Sequence, residues 1–262
     1  MGAVLSSYYL LTIKVMMKHS VLKFVGALAL LVAVTACKKD TSQKDKCPEG
    51  TVDLGIVMTR EDGTTYKVYW ATCNLCKDGF VSSPEVYGDY YAWGETEPKS
   101  KYDWSTYKFG TSESGPFSKY NTKESYGPVD NNTELDPGPE GDDVASKLLG
   151  GKWRMPTDAE WRELRAKCTW TREDDYNGTG VSGMIVTSNV EGYKDKSIFL
   201  PAVGLWKNTS LSYVGNGGYY WSSSLDTNNP QDAGRVGFTS DNYVSGSSIR
   251  RYLGCGVRPV TE

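Results

Sequence analysis

The stretch Gly150-Gly151-Lys152-Trp153-Arg154-Met155-Pro156-Thr157-Asp158-Ala159-Glu160-Trp161-Arg162-Glu163-Leu164 contains the clearest helix start in the chain. Pro156 disfavours helix in the residue before it. Thr157-x-x-Glu160 is a capping box, in which each side chain satisfies a backbone N–H at the beginning of a helix. The pattern therefore predicts a helix that begins at about Asp158.

The residues after the capping box predict which face of this helix is buried. Four residues recur at helical spacing on one face: Trp161, Leu164, Arg165 and Cys168. Three charged residues fall between them and are expected to face water: Glu160, Arg162 and Glu163. An earlier helix is predicted over residues 142–149, because its apolar residues have helical spacing and Gly150-Gly151 ends it.

Downstream, the pattern changes to short strands separated by turn residues. We expect strands at residues 197–203, 218–225, 233–240 and 255–260. In the third strand, Val236 and Phe238 alternate with Arg235, Gly237 and Thr239, which predicts an antiparallel sheet with one wetter face. Residues 51–93 should supply the opening strands. Residues 94–141, rich in Gly, Pro, Asn and charge, predict a long irregular insertion.

Several short motifs occur in order with the Met-Pro-Thr-x-x-Glu-Trp element and resemble one family. They are Tyr69-Trp70-Ala71-Thr72-Cys73-Asn74, Tyr87-Gly88-Asp89-Tyr90-Tyr91-Ala92-Trp93-Gly94-Glu95-Thr96, Ser197-Ile198-Phe199-Leu200-Pro201-Ala202, Tyr219-Tyr220-Trp221-Ser222-Ser223-Ser224 and Gly256-Val257-Arg258-Pro259-Val260. The set resembles the Fibrobacter major paralogous domain family over most of residues 51–262. The Met-Pro-Thr-x-x-Glu-Trp element is also similar to one in formylglycine-generating (sulfatase-modifying) enzymes.

The family resemblance implies a fold but not a function. The family is similar to the C-type lectin-like fold, which implies an α+β domain with two helices followed by a small twisted antiparallel sheet and long irregular loops. That fold hosts lectins, adhesins, inhibitors and enzymes, so the function has to be argued from the site.

The N-terminal region predicts export and lipid anchoring. Residues 1–36 are expected to be a signal peptide whose true start is Met17 or Met16, with lysines before an apolar run that is too short for a mature membrane helix. Val34-Thr35-Ala36-Cys37 resembles a bacterial lipobox, which implies lipidation of Cys37; an ordinary cleaved signal is the alternative. The resemblance implies an outer-membrane lipoprotein of the bacterial cell envelope, on either the surface or the periplasmic face.

Charge and length constrain the rest of the chain. Residues 37–50 predict a polar tether, and residues 51–262 predict a single domain. Residues 1–36 contain three of the 29 basic residues and no acid, which leaves 26 basic and 32 acidic residues, a net charge of −6. This charge disfavours nucleic acid as a partner.

The residue types argue against most catalytic sites. His19 is the single histidine and lies in the predicted signal, so Ser-His-Asp hydrolysis, Cys-His catalysis and His-ligated zinc are excluded from the mature chain. Formylglycine-generating enzymes need a close pair of copper-binding cysteines before the last strand, where this chain offers only Cys255. We therefore expect no catalytic residues and no cofactor.

The five cysteines after Cys37 are expected to form disulfides in an oxidising compartment: Cys47, Cys73, Cys76, Cys168 and Cys255. Cys73-x-x-Cys76 fits a redox motif, but no helix follows that could lower a thiol pKa. The C-type lectin-like resemblance implies a cystine from a helix to the final strand, Cys168 to Cys255. Cys76 to Cys255 is the alternative.

Two acidic loops offer oxygen ligands of the kind that calcium prefers. Residues 173–178 and 136–143 offer carboxylates, but neither has EF-hand spacing or a calcium-lectin triplet. A turn with Asn177-Gly178 at its tip is preferred for the first, and a solvated acidic face with a helix cap at Asp142 or Asp143 for the second. No metal site is predicted; structural calcium is the alternative.

Aromatic residues are the candidates for ligand binding, because sugar rings stack on Trp and Tyr. The chain has 18 Tyr and 8 Trp. Five tryptophans in helix or strand patterns are expected to be core: Trp70, Trp93, Trp153, Trp161 and Trp221. Six loop aromatics are expected to be exposed and to form the binding surface, with core packing as the alternative: Trp104, Tyr102, Tyr107, Trp206, Tyr213 and Tyr243.

These observations predict a lipid-anchored module that recognises glycan or protein at the cell surface without catalysis, for instance in adhesion. A structural or accessory subunit of a surface fibre or envelope complex is the first alternative. An altered sulfatase-modifying-type enzyme is the second, and it would require a cavity with Cys255 near another thiol.

Overall fold

A computed structural model describes residues 47–241 and 243–262. The described helices are α1 (Val144–Leu149) and α2 (Asp158–Lys167). The described strands are β1 (Thr51–Thr59), β2 (Thr65–Ala71), β3 (Leu75–Cys76), β4 (Gly79–Phe80), β5 (Cys168–Glu173), β6 (Gly183–Ser188), β7 (Ser197–Pro201), β8 (Leu205–Lys207), β9 (Ser210–Ser212), β10 (Gly218–Leu225), β11 (Asp232–Phe238), β12 (Val244–Arg250) and β13 (Val260–Thr261). Residues Cys47–Glu262 form one compact unit. The predicted signal, Cys37 and most of the predicted tether lie outside the described residues.

The strands form small antiparallel sheets. Three have three strands each, in the orders β1-β2-β13, β5-β6-β7 and β10-β11-β12, and two are hairpins, β3-β4 and β8-β9. The described chain is thus mostly antiparallel β with two short helices, an α+β arrangement. No helix within the described residues is long and apolar enough to cross a membrane.

Both predicted helices are present, and their caps are those that the sequence indicates. The Thr157 hydroxyl accepts from the Glu160 amide at 3.2 Å, and the Glu160 carboxylate accepts from the Thr157 amide at 2.8 Å. Asp143 caps α1 by accepting from the Ser146 amide at 3.0 Å, and Gly150 ends it with φ 66°.

Glu160 corrects one prediction, because it does not face water. Its side chain is fully buried and accepts two hydrogen bonds from Arg154, at 2.6 and 2.7 Å. Helical periodicity predicts that Glu160 faces solvent, but Arg154, in the segment before the helix, packs over its side chain. Cys168 is buried as predicted, although it begins β5 rather than continuing the helix.

Four of the five tryptophans expected in the core are buried. Trp70 and Trp161 lie in one hydrophobic cluster and Trp93 and Trp221 in another. Helix α2 packs against β1, β5 and the β10-β11-β12 sheet. The exception is Trp153, which is half-buried and meets the Phe80 ring edge-on at 4.9 Å between centroids.

The segment 94–141 is irregular, as predicted, with 3-10 turns at Trp104–Thr106 and Glu124–Tyr126. A buried arginine from the end of the chain holds it in place. The Arg251 guanidinium lies 4.1 Å from the centroid of the Phe117 ring and donates to the Tyr120 carbonyl at 2.8 Å.

The predicted strand at residues 255–260 is largely wrong. Only Val260–Thr261 form a strand there. Residues before it make single bridges to separate partners, Cys255 to Tyr91 and Gly256 to Tyr220, so no continuous ladder forms.

Candidate binding site

The structure separates the six predicted ligand-binding aromatics by exposure. Tyr102 and Tyr107 are buried, at 1% and 4% exposure, which corrects their assignment to an exposed surface. Their hydroxyls donate to backbone carbonyls, Tyr102 to Tyr90 at 2.5 Å and Tyr107 to Trp93 at 2.9 Å. They belong to the core because these carbonyls satisfy the hydroxyls there.

Trp104 and Trp206 are half-buried and packed on the core. The Trp104 ring stacks on Phe117 at 5.7 Å between centroids and meets Tyr252 at 4.9 Å. The Trp206 ring lies 6.1 Å from that of Tyr102, and the backbone amide of Trp206 donates to Gly254 at 2.9 Å. Both rings pack on core residues, so they are not the exposed ligand-binding rings that the sequence predicts.

Tyr213 and Tyr243 are the two that are exposed, at 58% and 65%. Tyr213 lies 5.9 Å from Tyr219 between ring centroids, and the guanidinium carbon of Arg235 lies 5.0 Å from the Tyr219 centroid. Tyr243 is near enough to Arg235 to act on its pKa. We call Tyr213, Tyr219, Arg235 and Tyr243 the Arg235 patch.

Strand register places the Tyr219 and Arg235 side chains on one face of the β10-β11-β12 sheet. Tyr219 pairs with Gly237, and Gly237 shares a face with Arg235 because side chains alternate along β11. Tyr243 lies opposite Thr239, whose amide donates to the Tyr243 carbonyl at 3.1 Å. The opposite face of β11 carries Val236 and Phe238, both buried. The antiparallel pairing predicted for this strand is confirmed, but the Arg235 face is only partly exposed, because Ala233 and Trp221 on that face are fully buried.

The Tyr213 ring is held by a tight turn between β9 and β10. Tyr213 has φ 64°, in the left-handed region, and its carbonyl accepts from the amides of Asn216 at 2.9 Å and Gly217 at 2.8 Å. Two apolar residues beside it, Leu211 and Val214, are 37% and 38% exposed. The turn thus presents a ring and an apolar rim to solvent.

The Arg235 side chain has no hydrogen-bonding or ion-pairing partner among the described residues. Its Nε atom is buried without a hydrogen bond, and its terminal nitrogens make neither hydrogen bond nor ion pair yet are not among the buried atoms. Some other arginines are paired with acids, for instance Arg250 with Asp232 at 2.5 Å and Arg172 with Asp174 at 2.9 Å. The two Arg235 terminal nitrogens are therefore open to a ligand.

Burial disfavours the charged form of the Arg235 guanidinium. It lowers the pKa of Arg235, while the Cys255, Tyr219 and Tyr243 side chains act in the opposite direction. An arginine remains charged even so. A positive charge that is partly desolvated and unpaired is costly, and an anionic ligand would offset that cost.

The described cysteines support neither the predicted disulfides nor a reactive thiol. All five described cysteines are free, so the predicted pairings Cys168–Cys255 and Cys76–Cys255 are absent from the structure. Cys168 lies in the hydrophobic cluster of Trp161, whereas Cys255 lies in that of Trp93. Burial raises the pKa of Cys168 to about 12 and also raises that of Cys255.

The two acidic loops have other partners. Asp142 accepts from Lys108 at 2.8 Å, from Lys119 at 2.6 Å and from the Tyr120 hydroxyl at 2.9 Å, so it is not the solvated face that the sequence predicted. In the other loop, Asn177 adopts φ 53° in a tight turn, as expected. No group of three or more potential metal ligands occurs within residues 47–241 and 243–262.

Sequence reasoning missed Arg235 and Tyr219 as site residues. Both were placed on predicted strands, where the one available signal was the Arg235-x-Gly237 spacing. A Cβ atom at Gly237 would lie 1.8 Å from Nη1 of Arg235, so this glycine leaves room for the guanidinium to lie across the sheet.

Comparisons of the chain with protein-family models, with curated proteins and with solved structures gave no significant match.

Proposed function

We propose that this chain is a lipid-anchored binding module of the bacterial cell envelope that recognises glycan or protein without catalysis. The observation that carries the proposal is the Arg235 patch, which combines exposed tyrosine rings with an unpaired guanidinium. Such rings and free donors are the usual anchors of recognition surfaces. Tyr219 and Arg235 lie on paired antiparallel strands, so their relative positions are largely preformed.

The C-type lectin-like fold and membership of the Fibrobacter major paralogous domain family belong to this proposal. They are supported by the order of elements, with α1 and α2 before the β10-β11-β12 sheet. The irregular segment 94–141 and the capping box at Thr157 also agree with the sequence motifs. The fold alone would not select a ligand.

Anchoring through Cys37 completes the proposal. Its support is the Val34-Thr35-Ala36-Cys37 motif after an apolar run. We expect labelled palmitate to be incorporated by the wild type and lost in Cys37→Ala, which should move to the soluble fraction. A Cys37→Ala protein that stays in the membrane fraction, together with an unlabelled wild type, would contradict the anchor.

The binding role is tested with the full chain purified in detergent, on a glycan array and in pull-downs from cell-surface extracts. The double variant Tyr213→Ala/Tyr243→Ala should lose the wild type's signal by at least tenfold, because each anchor ring contributes roughly 1–4 kcal/mol. Phe80→Ala is the matched control, since Phe80 is also an exposed ring but lies outside the patch. Equal binding by the double variant and the wild type would exclude this surface.

One observation favours a second function, that of a structural or accessory subunit of a surface fibre. Leu211, Tyr213 and Val214 form an exposed apolar rim on β9 and its turn. A subunit would use this rim for assembly, so Leu211→Ser/Val214→Ser should abolish recovery in high-molecular-weight surface complexes. Unchanged recovery would leave the binding role as the better account.

A further inference from the structure

We propose that the Arg235 patch binds a carboxylate-bearing sugar, a hexuronic acid unit of an acidic glycan. This rests on the proposed glycan-binding function and names its ligand class. The guanidinium would hold the carboxylate, and the tyrosine rings would pack against the sugar.

The first argument is the availability of two adjacent donors. The terminal nitrogens of Arg235 have no partner within the described part of the chain and are not buried. A guanidinium presents parallel N–H groups that fit the two oxygens of one carboxylate. A neutral hydroxyl would use only part of this geometry, so a carboxylate is the better match.

The second argument is that the guanidinium is fixed before binding. It lies against the Tyr219 ring, 5.0 Å from the centroid, and over the space that Gly237 leaves. Restricting this side chain in advance reduces the entropy lost on binding. Its partly buried position also strengthens an ion pair relative to one in water.

The third argument is that the nearby acidic side chains have other partners. Asp241 lies at the tip of the β11–β12 connection and accepts a hydrogen bond from the Thr239 hydroxyl. Asp232, on the same strand as Arg235, is paired with Arg250 at 2.5 Å. The positive charge of Arg235 is therefore left without an acid among the described side chains.

The fourth argument favours a sugar over an acidic peptide. Tyr213 and Tyr243 are more than half exposed, and sugar C–H faces stack on such rings. Ser245 and Ser247 pair with Gly237 and Arg235 in the β11–β12 register, so their hydroxyls share the patch's face. Rings beside a cation and several hydroxyls match a sugar acid with its own hydroxyl groups.

The test is calorimetric titration of the full chain in detergent with trigalacturonate and with its fully methyl-esterified form. The ester keeps the sugar rings and removes the negative charge. We expect the wild type to bind the acid at least tenfold more tightly than the ester. Arg235→Gln should weaken binding of the acid at least tenfold and leave binding of the ester unchanged.

Two further variants separate position from charge. Gly237→Ala retains the charge but displaces the guanidinium, so it should also weaken binding of the acid. Arg165→Gln is the matched control, because the Arg165 side chain is likewise unpaired but lies against Gly246, which pairs with Val236 of the opposite face. It should change affinity for the acid less than twofold. Arg235→Gln should unfold at a temperature no lower than that of the wild type, because the charge that it removes has no stabilising partner.

Several outcomes would overturn the inference. These are no binding of trigalacturonate, equal affinity for acid and ester, full binding by Arg235→Gln, or an oligoglutamate peptide that binds as tightly as the sugar acid. In each case, array or pull-down ligands that still depend on Tyr213 and Tyr243 would leave the proposed function standing. The proposed binding function is contradicted when the wild type binds no glycan on the array and recovers no protein in the pull-down.

Discussion

Arg154 and Glu160 form a two-point ion pair at the start of α2, with Nη1 to Oε2 at 2.7 Å and Nη2 to Oε1 at 2.6 Å. The same carboxylate accepts from the Thr157 amide at 2.8 Å and from the Tyr66 hydroxyl of β2 at 3.1 Å. Glu160 is fully buried. The pair therefore connects the helix start with the β1-β2-β13 sheet and completes the capping box.

Glu160→Ala should lower the free energy of unfolding by about 3–5 kcal/mol, because it leaves a poorly exposed arginine without its acid. Chemical denaturation measures the change. Glu163→Ala is the control, since Glu163 makes only an exposed pair with Lys167 at 3.0 Å and should cost less than about 1 kcal/mol. Similar losses in both variants would contradict the structural role of the buried pair.

Asp143 should make stability depend on pH. Burial raises its pKa to about 6, although hydrogen bonds from the Ser146 and Met155 amides and the charge of Arg154 act against this. Since the unfolded carboxyl ionises near 3.8, the folded state binds the extra proton between pH 4 and 6, and stability falls as pH rises through this window.

The test of Asp143 is a comparison with Asp143→Asn, which cannot ionise. Relative to the wild type, the variant should gain up to about 3 kcal/mol between pH 4 and pH 6, and the difference should be constant above pH 7. Denaturation at several pH values measures it. A difference that does not change between pH 4 and 6 would show that the buried carboxyl does not titrate in this range.

The buried thiols should be slow to react in the native protein. With its pKa raised to about 12, Cys168 is about one part in 10⁴ thiolate at pH 8. Cys255, whose pKa burial also raises, should behave similarly, whereas Cys73 and Cys76 are half-buried. Alkylation followed by peptide mapping should label Cys73 and Cys76 first. Rapid native labelling of Cys255 would contradict its burial.

Trp206 and Tyr243 should differ in their effects on stability. Trp206→Ala should cost about 2 kcal/mol, because its ring packs on Tyr90 and Tyr102 in the core. Tyr243→Ala should change stability by no more than about 0.5 kcal/mol, because the ring is 65% exposed. Thermal unfolding of the two variants decides this, and equal losses would place Tyr243 in the core as well.

Local signals in the sequence were enough to predict part of the fold. The capping box, Gly150 and helical spacing predicted both helices, short runs between turn residues predicted β7 and β10, and apolar alternation supported β11. The sequence also contained a missed signal for β6, where Ile185, Val186 and Thr187 are consecutive β-branched residues. β12 gave little signal, because this edge strand is rich in Ser and Gly and is half-exposed.

What the sequence could not predict depends on contacts between distant segments. The burial of Glu160 requires Arg154 to fold back over the helix start, and the burial of Tyr102 requires the Tyr90 carbonyl as a hydrogen-bond partner. The candidate site was predicted only through Tyr213 and Tyr243. Arg235 and Tyr219 were missed because their juxtaposition depends on strand register, which local patterns do not specify.

The most direct measurement is hydrogen–deuterium exchange of the full chain in detergent, with and without saturating trigalacturonate. Binding at the Arg235 patch should slow exchange in two segments, the turn at 213–217 between β9 and β10 and the described residues 239–241 and 243 between β11 and β12. The segment 94–141 should remain unchanged. Slower exchange confined to 94–141, with both patch segments unaffected, would contradict the central claim that this surface is the recognition site.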